Sequence, residues 1–291
     1  MTMEDATVPS VPDTSAQVPR RPPAQSAVPE PLKTSLDTVP PTVYAEPTGG
    51  LYSSKIYVNL ECNEPCSIFF LASPNILDQI KRENITSIYS NVLDIDKNTF
   101  LYFYAHDTAG NISPIKVRKY DINPSFKNPC PKNMVLIFSL KRRFCIDQFE
   151  WPNMRYKMPA SFVSWYQARD SCQVSGKRLC TSEEWYNACS DFGRTAYPYG
   201  QTYEHQSCVT EKGEAQKAGK YHECMSYYGV YDMSGNLQEW TSTKAPQNAN
   251  FYKVMGGFHS SHSASGCSDF KYSFYPQNQS VTVGFRCCHD P

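Results

Sequence analysis

Twelve cysteines are the feature that most constrains what this chain of 291 residues can fold into. The count is even and the cysteines are spread over most of the chain, which indicates a disulfide framework formed in an oxidising compartment. Zinc is the alternative use of so many thiols, and it needs a close Cys-x₂-Cys pair followed by a second such pair. No such double motif occurs here. The cysteine pattern therefore favours disulfides.

Charge and hydropathy exclude several classes of partner. The 28 Lys and Arg residues balance the 28 Asp and Glu residues, and no basic stripe with interleaved aromatics occurs, so we expect no nucleic-acid partner. No stretch reaches the roughly 18 apolar residues of a membrane span, so we expect no transmembrane segment in the sequence shown. The first residues lack the basic and apolar regions of an export signal. Because disulfides indicate a secreted, periplasmic or cell-envelope protein, we expect the native export signal to lie outside this sequence.

Composition divides the chain into three predicted regions. Residues 1–43 are rich in Pro, Ser, Thr, Ala and Val, which predicts a disordered tether, with a PxxP-type signalling ligand as the alternative. Residues 44–123 carry short strand patterns separated by turn signals, which is typical of an immunoglobulin-like β-sandwich. Residues 124–291 form the third region, which opens with a predicted β-hairpin around Lys141–Arg143.

Two helix starts are marked in the third region. Ser164 is followed three residues later by Gln167, and Thr181 by Glu184, and both pairs have the spacing of a capping box. The first helix is predicted to end at Gly176, since glycine readily adopts the left-handed conformation that follows a helix. Its predicted apolar face comprises Trp165, Ala168, Ser171, Cys172 and Val174.

The stretch GVYDMSGNLQEW, at Gly229–Trp240, has the composition of a cation site. Asp232 and Glu239 place two carboxylates seven positions apart, and Gly235 between them allows the backbone to turn. A hard cation such as Ca²⁺ binds oxygen donors from side chains and backbone carbonyls together. The pattern is not that of an EF-hand, so a surface turn with two solvated carboxylates is the alternative.

Five stretches in the third region, in this order, resemble the formylglycine-generating enzyme, or sulfatase-modifying factor, family. They are FCIDQFEWPN at Phe144–Asn153, SWYQARDSCQVSGKRLCTSEEW at Ser164–Trp185, the Gly229–Trp240 stretch, VMGGF at Val254–Phe258 and VGFRCC at Val283–Cys288. The resemblance implies a C-type-lectin-like α+β fold, with two helices, small sheets and long loops held by disulfides and calcium. Residues 44–123 resemble the chitobiase-C-terminal-like β modules found beside bacterial extracellular domains.

The resemblance also implies particular site residues. The calcium ligands would be the Asp232 side chain, the Gly235 carbonyl, the Leu237 carbonyl and the Glu239 side chain, with Asn236 bracing the loop. Two disulfides are implied by the family, namely Cys172–Cys287 and Cys189–Cys267. For the other eight cysteines we expect the pairs Cys180–Cys288, Cys208–Cys224, Cys130–Cys145 and Cys62–Cys66.

The activity of the family depends on residues that differ here. Formylglycine-generating enzymes oxidise a sulfatase cysteine to an aldehyde with O₂ and with copper held by two cysteines. By resemblance these cysteines would lie at Ser261 and Gly266, five and ten residues after the first glycine of the GG motif. The same loop carries His259 and His262, with Cys267 nearby, so a mononuclear iron or copper site is an alternative to two polar loop histidines.

Three hypotheses about function follow. The first is a calcium-stabilised binding or scaffold module for a protein or glycan ligand, without the catalytic cysteine pair. The second is an O₂-dependent oxidoreductase acting on protein cysteine with copper or iron, whose site would then involve Ser261, Cys267, His259 and His262. The third is a carbohydrate-binding, lectin-like protein, because the fold permits it although fold does not imply function.

Overall fold

The computed structural model of the chain describes residues 37–138, 142–268 and 273–291, so the predicted tether at residues 1–43 lies almost wholly outside the described residues. The described part is predominantly β. Its two helices are α1, Trp165–Val174, and α2, Ser182–Ser190. Neither of the described helices has the length and apolar character that a membrane span requires. The strands are β1 Val43–Glu46, β2 Gly50–Tyr52, β3 Ile56–Cys62, β4 Cys66–Ser73, β5 Ser87–Ile88, β6 Leu93–Ile95, β7 Thr99–Asp107, β8 Lys116–Ile122, β9 Met134–Phe138, β10 Arg143–Asp147, β11 Arg178–Leu179, β12 Gln238–Ala245, β13 Asn248–Met255, β14 Ser273–Phe274, β15 Val283–Phe285 and β16 Cys287–His289.

Two sheets form the first part of the described chain. One has the order β1-β3-β6 and the other the order β2-β8-β7-β4-β5. The central strand β7 is apolar on both faces. Leu101 and Phe103 enter the core between the two sheets, while Tyr102 and Tyr104 pack with Ile85 on the other side. A continuous apolar run is what a strand buried on both faces requires, and the sequence of β7 has that run.

Two further sheets and the two helices form the remainder. The orders are β11-β16-β10-β9 and β14-β13-β12-β15, and β9 with β10 makes the predicted hairpin, whose residues 139–141 are not described. Each helix covers a core of its own. Helix α1 packs Trp165 and Ala168 near Trp240, whereas α2 packs Trp185 near Met233. Strand β16 lies between these two cores.

The predicted helix caps are confirmed. Ser164 and Thr181 are the N-caps, and each makes the reciprocal capping-box bonds with Gln167 and Glu184 respectively. The prediction for Val174 is wrong, because its side chain is 91% exposed. Val174 is the last residue of α1, and the apolar face of the helix ends before it.

Six disulfides connect these elements, and they include all twelve cysteines of the chain. The disulfide-rich fold expected from the sequence is therefore confirmed. The pairs are Cys62–Cys66, Cys130–Cys145, Cys172–Cys287, Cys180–Cys288, Cys189–Cys267 and Cys208–Cys224.

Buried charges connect the first two sheets to the loop that follows Ala218. Lys116 of β8 forms an ion pair with Glu223, and burial lowers the pKa of the lysine. The Tyr44 ring stacks on the His222 ring with centroids 4.2 Å apart. Arg155 reaches both His222 Nδ1, at 2.9 Å, and Glu46, at 3.5 Å. These contacts hold the N-terminal sheets against the C-terminal part of the chain.

The turn that leads into β12 is packed tightly against a neighbouring loop. Gly235 has φ of +80°, and a Cβ atom built on it would lie 2.2 Å from the Val209 carbonyl oxygen. The next residue, Asn236, donates its backbone N–H to that same carbonyl. Glycine is therefore required at position 235 by both backbone conformation and close approach.

We expect Gly235→Ala to destabilise the protein for two reasons, the strain of a left-handed backbone and the clash of the new Cβ with the Val209 carbonyl oxygen. Gly213→Ala is the matched control, because Gly213 has φ of +75° and open space around its Cβ position. The control should cost about 1–2 kcal/mol, the usual penalty for a left-handed residue with a Cβ. Urea unfolding followed by circular dichroism measures both, and equal losses would contradict the close approach at Val209.

We expect Glu223→Gln to lower the free energy of unfolding by about 3–5 kcal/mol, because it leaves the Lys116 ammonium buried without its counter-charge. The side chains of Lys116 and Glu223 are 14% and 9% exposed. Glu83→Gln is the control, since Glu83 pairs with Lys81 at the surface, where the two side chains are 72% and 71% exposed. Chemical unfolding should show a large loss for the first variant and almost none for the second. If the two variants lose similar free energies of unfolding, the Lys116–Glu223 pair does not stabilise the contact between the N-terminal sheets and the loop after Ala218.

Candidate functional site

The residues of the predicted calcium stretch lie in the interior. Asp232 is 2% exposed, and Asn236 and Glu239 are fully buried. The alternative of a solvated surface turn is therefore wrong. Asp232 and Asn236 both adopt positive φ, of 60° and 56°, so the chain reverses sharply before it enters β12.

Asn236 braces this turn, as predicted. Its Oδ1 accepts the Gln216 N–H at 2.8 Å, and its Nδ2 donates to the Gln216 carbonyl and to the Glu150 carboxylate. Glu150 also accepts the Leu237 N–H at 3.1 Å. An amide and a carboxylate from distant segments thus satisfy the polar groups of a turn that water does not reach.

Glu239 is held by a guanidinium. Arg286 donates from Nε to Glu239 Oε2 and from Nη2 to Glu239 Oε1, both at 2.7 Å. Trp185 donates its indole N–H to Glu239 Oε2 at 2.8 Å. Both ends of the ion pair are fully buried. A bidentate pair of this kind is strong and directional, and losing either partner leaves a charge in the interior.

The site contains more acid than base. The charges of Asp232, Glu239 and Arg286 all act on Glu150. Burial, and after it the Asp232 carboxylate, raise the pKa of Glu150 well above its usual value. Burial also raises the pKa of Asp232 to about 7, although its Oδ2 accepts the Gly219 N–H at 2.6 Å. Three buried carboxyl groups thus lie around one buried guanidinium.

Sequence reasoning missed two members of this site, Glu150 and Arg286. Both were inside quoted motifs, FCIDQFEWPN and VGFRCC, where each is a charge flanked by apolar residues. Charged side chains are seldom fully buried unless they are paired. A charge within an apolar motif was therefore the signal that a buried partner existed elsewhere in the chain.

The two positions that would carry catalytic thiols are a serine and a glycine. The Ser261 hydroxyl accepts the Phe258 N–H at 2.7 Å, and Gly266 is buried beside Cys267. The sulfur of Cys267 is bonded to Cys189. No free thiol therefore remains in this loop.

The two loop histidines point to different neighbours. His259 Nδ1 lies 3.1 Å from the Ser260 hydroxyl, and burial lowers the pKa of this histidine. His262 Nδ1 lies 3.4 Å from Glu211 in an exposed position. The structure does not gather them with Cys267 into one cluster. Within residues 37–138, 142–268 and 273–291, the potential metal-ligating side chains that converge within 4.8 Å are those of Asp37, Glu64 and Asp107.

Curated relatives match slightly less than half of the chain. The inactive Cα-formylglycine-generating enzyme 2 of Bos taurus is 27% identical over 152 residues, which cover 46% of this chain and 50% of that protein. The formylglycine-generating enzyme of Bos taurus is 28% identical over 165 residues, which cover 45% of this chain and 44% of that protein. The chain thus spans about half the length of the relatives it matches.

Among solved structures, the chain is similar to Treponema denticola variable protein 1, with 16% identity and a TM-score of 0.44 over 51% of this chain and 85% of that one. The family described as the sulfatase-modifying factor enzyme 1-like domain matches residues 141–291. The match covers half of the chain and includes Glu150, Asp232, Glu239 and Arg286. The chain belongs to the sulfatase-modifying factor family.

Proposed function

We propose that this chain is an extracytoplasmic, non-catalytic member of its family that acts as a binding or scaffold module. The observation that carries the proposal is that all twelve cysteines are paired in disulfides. Six disulfides in one chain favour assembly in an oxidising compartment. The similarity to a relative described as inactive supports the proposal.

The chemistry of the loop supports the absence of copper-dependent oxidation. Cu(I) prefers soft thiolate ligands. In this chain the two corresponding positions carry Ser261, a hard hydroxyl that is engaged with the Phe258 backbone, and Gly266, which has no side chain. The sulfur of Cys267, the cysteine nearest to them in the sequence, is bonded to Cys189. These residues do not fit a copper ion.

The fold assignments are part of the same proposal. We assign residues 124–291 to a C-type-lectin-like α+β fold, which the two helices, small sheets and long disulfide-linked loops support. We assign residues 44–123 to an immunoglobulin-like, chitobiase-C-terminal-like sandwich. The core shared by the two N-terminal sheets supports this second assignment.

We further propose that calcium is a structural ion of the buried acidic turn. The donor set supports a hard cation, because the side chains and carbonyls of the turn offer only oxygen. Asp232, the carbonyls of Gly235 and Leu237, and Glu239 would hold the ion, with Glu239 shared between calcium and Arg286. When bound, the ion would supply the positive charge that Arg286 alone does not.

The proposed lack of thiol chemistry predicts that the purified protein contains no free thiol. Thiol titration under denaturing, non-reducing conditions should find none. Incubation with Cu(I), O₂ and a cysteine-containing sulfatase peptide should give no aldehyde by mass spectrometry. The formylglycine-generating enzyme of Bos taurus is the positive control. Two titratable thiols per chain, or aldehyde formation, would return the chain to the oxidoreductase hypothesis.

The proposed calcium site predicts that chelation lowers the melting temperature. An ion that binds only the folded state stabilises it by about 2.7 kcal/mol at a hundredfold excess over Kd. Asp232→Asn should abolish the calcium response, since asparagine keeps the left-handed backbone but not the charge. Glu239→Gln is less informative, because it also removes the counter-charge of the buried Arg286 and so destabilises the protein with or without calcium.

Asp191→Asn is the matched control for this calcium test. Asp191 is a buried acid with φ of 49° at the end of α2, outside the turn, so its variant should keep the calcium response. If EDTA leaves the melting curve unchanged and calorimetry finds no calcium binding, buried protons rather than calcium neutralise the site.

A further inference from the structure

A cavity of about 920 Å³ lies between the N-terminal sheets and the C-terminal part of the chain. None of the residues that line it belongs to the Ser261 loop. Its volume is within the range of ligand pockets, which occur preferentially at such junctions. The ion pairs and the Tyr44–His222 stack described above hold its walls in place.

The walls of the cavity are strand edges. Gly50, Leu51 and Tyr52 of β2 all line it, and so do Met134, Val135 and Leu136 of β9. Side chains alternate between the two faces of a strand, so a cavity on one face would meet every second residue. Contact with consecutive residues means that the cavity faces the edge. Both β2 and β9 are terminal strands of their sheets in the described part of the chain.

The register of the β9–β10 hairpin identifies the main-chain groups that face this edge. The Asn133 carbonyl accepts a hydrogen bond from the Gln148 N–H. In an antiparallel pair every second residue bonds to the partner strand, so the main-chain groups of Val135 and Ile137 also bond to β10. The N–H and C=O of Leu136 therefore point away from β10. The Met134 N–H, which also points away, bonds to the Pro131 carbonyl, in agreement with this alternation.

The charged side chains at the cavity are already paired within the chain. Arg155 pairs with Glu46 at 3.5 Å and Lys119 with Asp121 at 2.6 Å, and Arg194 pairs with Asp191 at 3.0 Å. The cavity therefore offers no charge that would call for an ionic ligand.

Aromatic side chains make up much of the remaining surface of the cavity. Phe138 and Tyr227 are 41% and 36% exposed, and Phe192 and Tyr228 are partly exposed. Thr48 lines the cavity, and its buried hydroxyl has no hydrogen-bond partner among the described residues. A buried polar atom of this kind usually has a partner, so its isolation indicates where a ligand group would bind.

We propose that this cavity binds an extended, uncharged peptide segment of a partner protein, which adds as a strand to the free edge of β9. The main-chain N–H and C=O of Leu136 would pair with the peptide backbone, and alternate apolar side chains would lie among the aromatic residues. The proposal deepens the binding role proposed above by giving it a site and a ligand class. It rests on that role but not on the state of the Ser261 loop, so a positive aldehyde assay would leave it standing.

The test begins with selection of phage-displayed random octapeptides on the full chain. We expect enriched sequences to have apolar residues at alternate positions and few charges. A selected peptide, fluorescein-labelled, should bind Leu136→Pro about tenfold more weakly than wild type in fluorescence anisotropy, because one main-chain donor is lost. Proline is tolerated at an edge position whose N–H faces outward.

Two controls isolate the main-chain bond. Leu136→Ala keeps the N–H and should bind more tightly than Leu136→Pro. The same peptide with alternate amides N-methylated should lose binding to the wild type in one of the two registers. Hydrogen exchange measured by mass spectrometry should show new protection in Met134–Phe138 when the unmodified peptide is added, and this measurement needs no variant to fold.

Several outcomes would overturn the proposal. They are the failure of any sequence to be enriched, enrichment of charged sequences, equal affinity for Leu136→Pro and wild type, and protection of the Ser261 loop in place of β9. A dimer at micromolar concentration that Leu136→Pro dissociates would assign the edge to a second copy of the chain instead.

Discussion

The buried ion pair between Arg286 and Glu239 is the interaction on which the C-terminal part depends. Besides Glu239, the guanidinium donates to the carbonyls of Tyr231 and Asp147, so one side chain joins β10, the acidic turn, β12 and the β15–β16 segment. Each of these bonds is made where water is excluded, so none can be replaced by solvent if the side chain is lost. The site is therefore also the place where these four segments are joined.

Disulfides and hydrogen bonds both stabilise the C-terminal part of the chain. Helix α1 is tied through Cys172 to Cys287 in one core, and the segment before α2 is tied through Cys180 to Cys288 in the other. The covalent links restrict which segments can meet. The hydrogen bonds around Asn236 and Arg286 then determine how they meet, because only groups with matching direction can satisfy one another in the interior.

Local patterns in the sequence were sufficient for local structure. The two capping boxes involve residues three positions apart, so Ser164 and Thr181 marked their helices without knowledge of the rest of the fold. The disulfide pairs needed more, since spacing does not determine connectivity, and two of them came from the family resemblance.

The acidic turn shows where such reasoning stops. The stretch from Asp232 to Glu239 indicated a cation site from its own oxygens, but the cation that the structure places beside Glu239 is Arg286, which lies 47 residues further along the chain. Glu150, which satisfies the turn, precedes Asn236 by 86 residues. Periodicity and spacing cannot reveal partners at such separations. Only the three-dimensional fold brings them together.

The adjacent cysteines of β16 have a consequence for how the chain is made. Consecutive residues of a strand face opposite ways, so Cys287 and Cys288 close different cores, with partners 115 and 108 residues earlier. At about 5–20 residues per second, ribosomes need roughly 5–20 s to produce the intervening chain. During that interval Cys172 and Cys180 have no partner and the apolar faces of the helices are uncovered, so neither core can close before the ribosome has made β16.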